Sequence, residues 1–100
     1  MPNVVVTARL WVKDAHFAHF VHFEAFEVRA FQIMARHGAE IVRIEQDHAQ
    51  VLRDGPHETH VLRFPSREAF DAYRVDPELL EMSNLRAACI LRTEVSLRQE

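Results

Sequence analysis

The chain has 100 residues and a mass of 11.7 kDa, which predicts a single domain over residues 1–100. Apolar residues make up 48% and charged residues 27%, so the composition is that of a globular chain, not a disordered one. Twelve basic residues stand against fifteen acidic ones, and no basic run offers a nucleic-acid footprint.

Residues 4–12 (VVVTARLWV) predict a first strand. Val4, Val6, Ala8, Leu10 and Val12 share one face, which is uniformly apolar and should meet the core. Val5, Thr7, Arg9 and Trp11 share the other, which is mixed. Asp14 is a suitable N-cap, and residues 15–37 predict a long helix stopped at Gly38. Phe17, Val21, Val28, Phe31 and Ala35 fall on one stripe of it, with Phe20 and Met34 beside them. Phe23, Phe26 and Ile33 point elsewhere, so the helix bends or is covered on its far side too. Glu24 is the anomaly, a carboxylate within the apolar stripe.

Residues 39–46 predict a second strand, and Asp54-Gly55-Pro56 a turn. His60 to Phe64 predicts the third strand. Ser66 can start a short helix through Tyr73, and Asp76-Pro77 another over 77–84. Residues 88–97 alternate, contain β-branched side chains and predict the fourth strand. The order β-α-β-β-α-β is the ferredoxin-like arrangement, an α+β sandwich with both helices on one face of a four-stranded antiparallel sheet. The other face lacks cover within one chain. Its mixture of apolar and opposite-charge residues predicts a homodimer through the open sheet face.

The segments FEAFEVRAFQIMARHGAEIVRI (23–44) and HVLRFPSREAFDAYRVDPEL (60–79) resemble the dimeric α/β-barrel superfamily, above all its DUF1330-like group. The resemblance covers nearly the whole chain. It implies a small homodimeric α/β barrel with a small-molecule pocket between the sheet and the helices of each subunit. It also brings two alternatives. One is a cofactor-independent oxygenase or isomerase acting on a small cyclic or aromatic substrate; the other is a haem- or metal-binding protein.

Seven Phe and seven His are the unusual counts. His16, His19 and His22 drift by about 60° per step on a helix, so either adjacent pair could share a ligand but all three on one metal would require distortion. No zinc-protease motif, phosphate loop or cysteine cluster occurs, so no cofactor and no metal site are assigned. His37, beside Gly38, suits a helix C-terminus. His48 and His57 fall in a connection and are expected exposed. His60 shares a face with Leu62 and Phe64, and its imidazole suits acid–base work. Glu24, if buried among Phe17, Val21, Val28 and Phe31, would have a raised pKa suited to a general base. Glu24 and His60 are thus the candidate catalytic residues. Glu27 is expected to pair with an arginine at a subunit edge. Arg9, Arg43 and Arg92 are expected to pair with Glu45 and Glu94. Tyr73 is expected to fix the second helix, and Cys89 to lie in or beside the core. The single cysteine, the unremarkable N-terminus and the lack of any span of roughly 20 apolar residues predict a cytoplasmic, non-membrane protein.

Overall fold

The computed structural model describes residues 2–12, 17–47 and 56–100, with side chains described from His22 onward in the first helix. Strand β1 (Val4–Val12) leads to helix α1 (Phe17–Arg36), then to strands β2 (Glu40–Gln46) and β3 (Glu58–Phe64). Three short helices follow, α2 (Arg67–Arg74), α3 (Pro77–Glu81) and α4 (Ser83–Cys89), before strand β4 (Ile90–Gln99). The sheet order is β2-β3-β1-β4, and every neighbouring pair is antiparallel. The expected ferredoxin-like sandwich is present.

The closed barrel is not. The sheet is open, with β2 and β4 as its two edges. Every residue of β2 is exposed, and so is most of β4. The alternation of strands and helices fixes which sheet face is covered. It carries no information about the edges, where closure would have to occur. The barrel part of the resemblance is therefore corrected, and the ferredoxin-like part stands. Among the described residues no helix is long and apolar enough to cross a membrane.

On β1, Val4, Val6, Leu10 and Val12 are all buried, as the alternation requires. Val4 and Val6 join Ile33, Leu62, Phe64, Phe70 and Tyr73 in one core cluster. Leu10 and Val12 join Phe23, Phe26, Ala30, Cys89 and Ile90 in the second. Cys89 closes α4 and does not belong to β4; its thiol donates to the Leu85 carbonyl at 3.2 Å.

The phase of α1 differs from the expectation by nearly half a turn. Phe23, Phe26, Ala30 and Ile33 are buried, while Glu24 and Val28 are exposed. Apolar residues surround this helix, so periodicity alone admits two faces. Burial energetics decide between them. The chosen face carries Glu27, which meets a histidine, and it places Glu24 in water. Phe17, Phe20 and Val21, which anchored the other stripe, have side chains outside the described set.

The helix ends as its sequence specifies. Gly38 takes φ +83°, its N–H donates to the Ala35 carbonyl at 3.0 Å, and the Ala39 N–H donates to the Met34 carbonyl at 3.1 Å. This is a Schellman closure, which a left-handed glycine makes inexpensive. The N-cap expected at Asp14 lies outside the described residues, as does the turn at 54–55.

At α2, the Ser66 hydroxyl accepts from the Ala69 N–H at 3.1 Å. At α3, Asp76 Oδ1 accepts from the Glu78 N–H at 2.9 Å, with Pro77 in the first turn. His37 does more than face a helix dipole. Its Nε2 lies 2.8 Å from Asp76 Oδ2 and ties the end of α1 to the start of α3.

On the outer sheet face, Arg43 pairs with Glu45 at 2.7 Å and Arg92 with Glu94 at 3.0 Å, as expected, but within one chain. The Arg92 guanidinium also lies 4.7 Å from the Trp11 ring centre.

Candidate functional site

Between the sheet and the helices lies a cavity of about 420 Å³. Val6, Ala8 and Leu10 of β1, and His60 and Leu62 of β3, form its floor. Phe23, Phe26, Glu27, Ala30, Phe31 and Met34 of α1 form one wall. Phe70, Tyr73, Leu79, Ile90 and Val95 add to the lining, and the exposed Arg74, Leu80 and Arg86 mark its edge. A largely apolar hollow with a few convergent polar groups has the usual form of a small-molecule site.

The space has a local cause. Ala8 stands opposite His60 in the β1–β3 register, and Ala30 faces the sheet from α1. Two small side chains at facing positions leave volume that larger ones would fill. Tyr73 is buried at the end of α2, with its ring 5.8 Å from that of Phe64. Burial pushes its hydroxyl up to about 12, so it stays protonated.

The polar part of the wall comes from two elements. Strand alternation turns Glu58 and His60 to the helix side, where both are almost fully buried. Glu27 descends from α1 with its side chain 15% exposed. His60 Nε2 lies 2.8 Å from Glu58 Oε1 and 3.1 Å from Glu27 Oε2. The contact to Glu58 is an aligned hydrogen bond. Glu27 Oε2 is close enough to pair but accepts no aligned bond, and it is shielded from solvent. The Phe23 and Phe31 rings flank the imidazole at 6.5 and 5.3 Å. Gln46, opposite Glu58 on β2, donates from Nε2 to Glu58 Oε2 at 3.4 Å.

Burial alone would lower the His60 pKa, but the two carboxylates outweigh it and push the imidazole up to about 9. Burial raises the Glu27 carboxyl, reinforced by the nearby Glu58 and opposed by His60. Below that value the cluster is thus built around an imidazolium, with Glu58 and Glu27 as its acidic partners. A buried pair of this kind resists loss of either partner.

The two expected catalytic residues separate. His60 is at the cavity wall. Glu24 is exposed, on another side of α1, and does not line the cavity. Glu27 and Glu58 take the acidic places at the site, and sequence reasoning assigned neither there. The arginine partner expected for Glu27 is not its neighbour; His60 is its ion-pair partner among the described residues. Glu58 fell before the expected start of β3, which begins two residues earlier than predicted. An i, i+2 pair of Glu58 and His60 was the available signal, since strand alternation puts both on one face.

His57 is buried, not exposed, and its Nδ1 accepts from the Val12 N–H at 3.0 Å. His22 is exposed, while His16, His19 and His48 lie outside the described side chains.

Residues 8–97 match a family described as a domain of unknown function, DUF1330. No curated protein matches the chain. Several solved structures share the fold. One is the RPA0582 protein of unknown function from Rhodopseudomonas palustris, with TM-score 0.76 and 16% identity over 99% of this chain and 82% of that one. A second is SnoaB, a cofactor-independent oxygenase from Streptomyces nogalater, with TM-score 0.71 and 18% identity over 100% and 94%. A third is a dimeric protein of unknown function and ferredoxin-like fold from Bacteroides fragilis, with TM-score 0.71 and 11% identity over 98% and 96%. At these identities the likeness establishes the fold. The match over residues 8–97 reaches further, and the chain belongs to the DUF1330 family.

Proposed function

We propose that this protein binds a small, mainly apolar cyclic molecule in the cavity between sheet and helices, with a polar substituent turned to Glu27 and His60. The observation that carries this reading is the wall itself. Aromatic and aliphatic side chains surround a hollow of about 420 Å³, and the polar groups Glu27 and His60 converge on one part of it. Apolar lining supplies affinity, and the paired charges orient the ligand. His60 is the candidate site residue retained from the sequence, and Glu27 replaces Glu24 beside it.

The probe is 2-naphthol, a bicyclic ring with one hydroxyl, titrated into protein labelled at its methionine methyl groups. Met34 lines the cavity and should show a saturable NMR shift. No saturable change at Met34 up to the solubility of the probe would remove the proposal.

The partner is proposed to be a second copy, meeting the first through the outer sheet face. That face has both signs of charge, Arg43 and Arg63 beside Glu45 and Glu100, so it can complement itself. A hollow lined by Val5, Thr7, Val42, Val61 and three arginines lies on the same face. The dimeric relative from Bacteroides fragilis supports an assembly of two.

A further inference from the structure

Glu27, Glu58 and His60 converge on one point beside the cavity. One donor atom from each lies within 4.8 Å of the other two. The imidazole Nε2 can carry a single proton, which goes to Glu58 Oε1 at 2.8 Å. Glu27 Oε2, at 3.1 Å from the same nitrogen, is buried and has no hydrogen-bond partner. A buried carboxylate oxygen left in this state is costly. Two acceptors aimed at one ring nitrogen are poorly served by one proton, but well served by one cation.

The spacing suits such an ion. With metal–ligand bonds of about 2.0–2.2 Å, neighbouring donors around one ion sit roughly 3 Å apart. The contacts of 2.8 and 3.1 Å fall close to that separation. The donor set selects among metals. One imidazole and two carboxylates suit a first-row divalent transition ion, whereas calcium and magnesium prefer all-oxygen shells. The remaining Glu58 oxygen is held by Gln46, the kind of outer contact that orients a ligating carboxylate. Glu27 and His60 are also wall residues of the cavity.

We propose that Glu27, Glu58 and His60 bind one first-row divalent transition-metal ion, with an open coordination position towards the cavity. The three histidines singled out by their spacing on α1 take no part in it. The site stands on the geometry of the cluster and does not depend on which molecule the cavity accepts.

The test uses Co2+ as the probe, titrated into chelator-treated full-length protein and followed by visible absorption and equilibrium dialysis. One Co2+ per chain should bind, with a d–d band. Glu27→Gln and Glu58→Gln should each weaken binding at least tenfold, with circular dichroism showing the fold retained. Glu27→Gln keeps the side-chain shape, so it remains informative if the Glu58 variant fails to fold. Absence of saturable Co2+ binding at millimolar concentration would overturn the site. So would binding unchanged by Glu27→Gln and abolished by the combined His16→Ala, His19→Ala and His22→Ala changes. Loss of Co2+ binding with the 2-naphthol response of Met34 intact would refute the metal site alone. The converse would refute the cavity reading alone.

Discussion

Glu27 of α1 and His60 of β3 meet at 3.1 Å across the interface between helix and sheet, with both side chains largely out of water. Their pairing makes the phase of α1 intelligible. It also makes the cluster sensitive to one-sided change. Removing His60 strands two buried carboxylates, Glu27 and Glu58. Breaking a buried pair in this way costs about 3–5 kcal/mol. We expect His60→Ala, studied metal-free, to lower unfolding free energy by roughly 3 kcal/mol in urea. Adding Glu27→Leu to it should recover part of that loss, because one of the stranded charges is removed. A His60→Ala protein as stable as the parent would mean that the three side chains do not pair.

Glu24 supplies the contrasting case. It is exposed and outside the cavity lining, so Glu24→Ala should change stability by no more than about 0.5 kcal/mol. The 2-naphthol response at Met34 should be unaltered. A large loss of either would put Glu24 back among the buried groups and undo the phase of α1 described above.

What the sequence made legible, and what it did not, divides along physical lines. The order of elements, the core face of β1, the closure at Gly38 and the caps at Ser66 and Asp76 are local properties. Each depends on a few neighbouring residues and is present, although the helix expected over 77–84 divides into α3 and α4 and β4 starts at Ile90 instead of residue 88. The phase of α1 is not local. A helix with apolar residues on more than one side has two plausible buried faces, and the choice depends on His60, far along the chain. The site is non-local for the same reason: Glu27 has meaning only beside a strand that begins at Glu58, two residues before the alternation predicts. The barrel failed because edge contacts leave no periodic mark in one chain.

Asp76 carries the expected acid response. Its carboxyl lies below the ordinary range, first because of the hydrogen bond with His37 and then because of the Glu78 N–H, with Arg36 adding to the effect. A depressed folded pKa means stability present above the unfolded value of about 3.9, lost as pH falls through the folded one. The midpoint of thermal unfolding should therefore fall between pH 4 and lower values. Asp76→Asn keeps a capping oxygen but removes the charge, so part of that dependence should vanish. An identical melting profile from pH 6 to pH 2 in both proteins would show that this carboxylate does not contribute.

Gly38 tests the turn that sets β2 in place. Its φ of +83° disfavours any L side chain, and an added Cβ would come 3.0 Å from Pro65 Cγ. The pyrrolidine belongs to the segment between β3 and α2, so relief requires moving chain at the end of the core. Gly38→Ala should cost about 1–2 kcal/mol from the left-handed backbone, with the contact adding to it. Denaturant unfolding measures the loss, and a neutral result would mean that α1 can end without a left-handed residue.

The outer sheet face makes the last prediction. Thr7 lies in the hollow with Arg43, Arg63 and Arg98, and its side chain is only partly buried. Thr7→Arg adds bulk and a fourth positive charge there without entering the core. If two copies meet through this face, repulsion and lost shape match should shift the variant to monomer at concentrations where the parent is dimeric. Light scattering coupled to size-exclusion chromatography reads this directly, across a concentration series. Because the exposed apolar residues Leu91, Val95 and Leu97 lie on edge strand β4, they supply the rival contact. A dimer that tolerates Thr7→Arg but dissociates in Leu91→Lys would place the interface at that edge. Loss of the dimer in Thr7→Arg alone, with unfolding free energy unchanged, would place it on the open face.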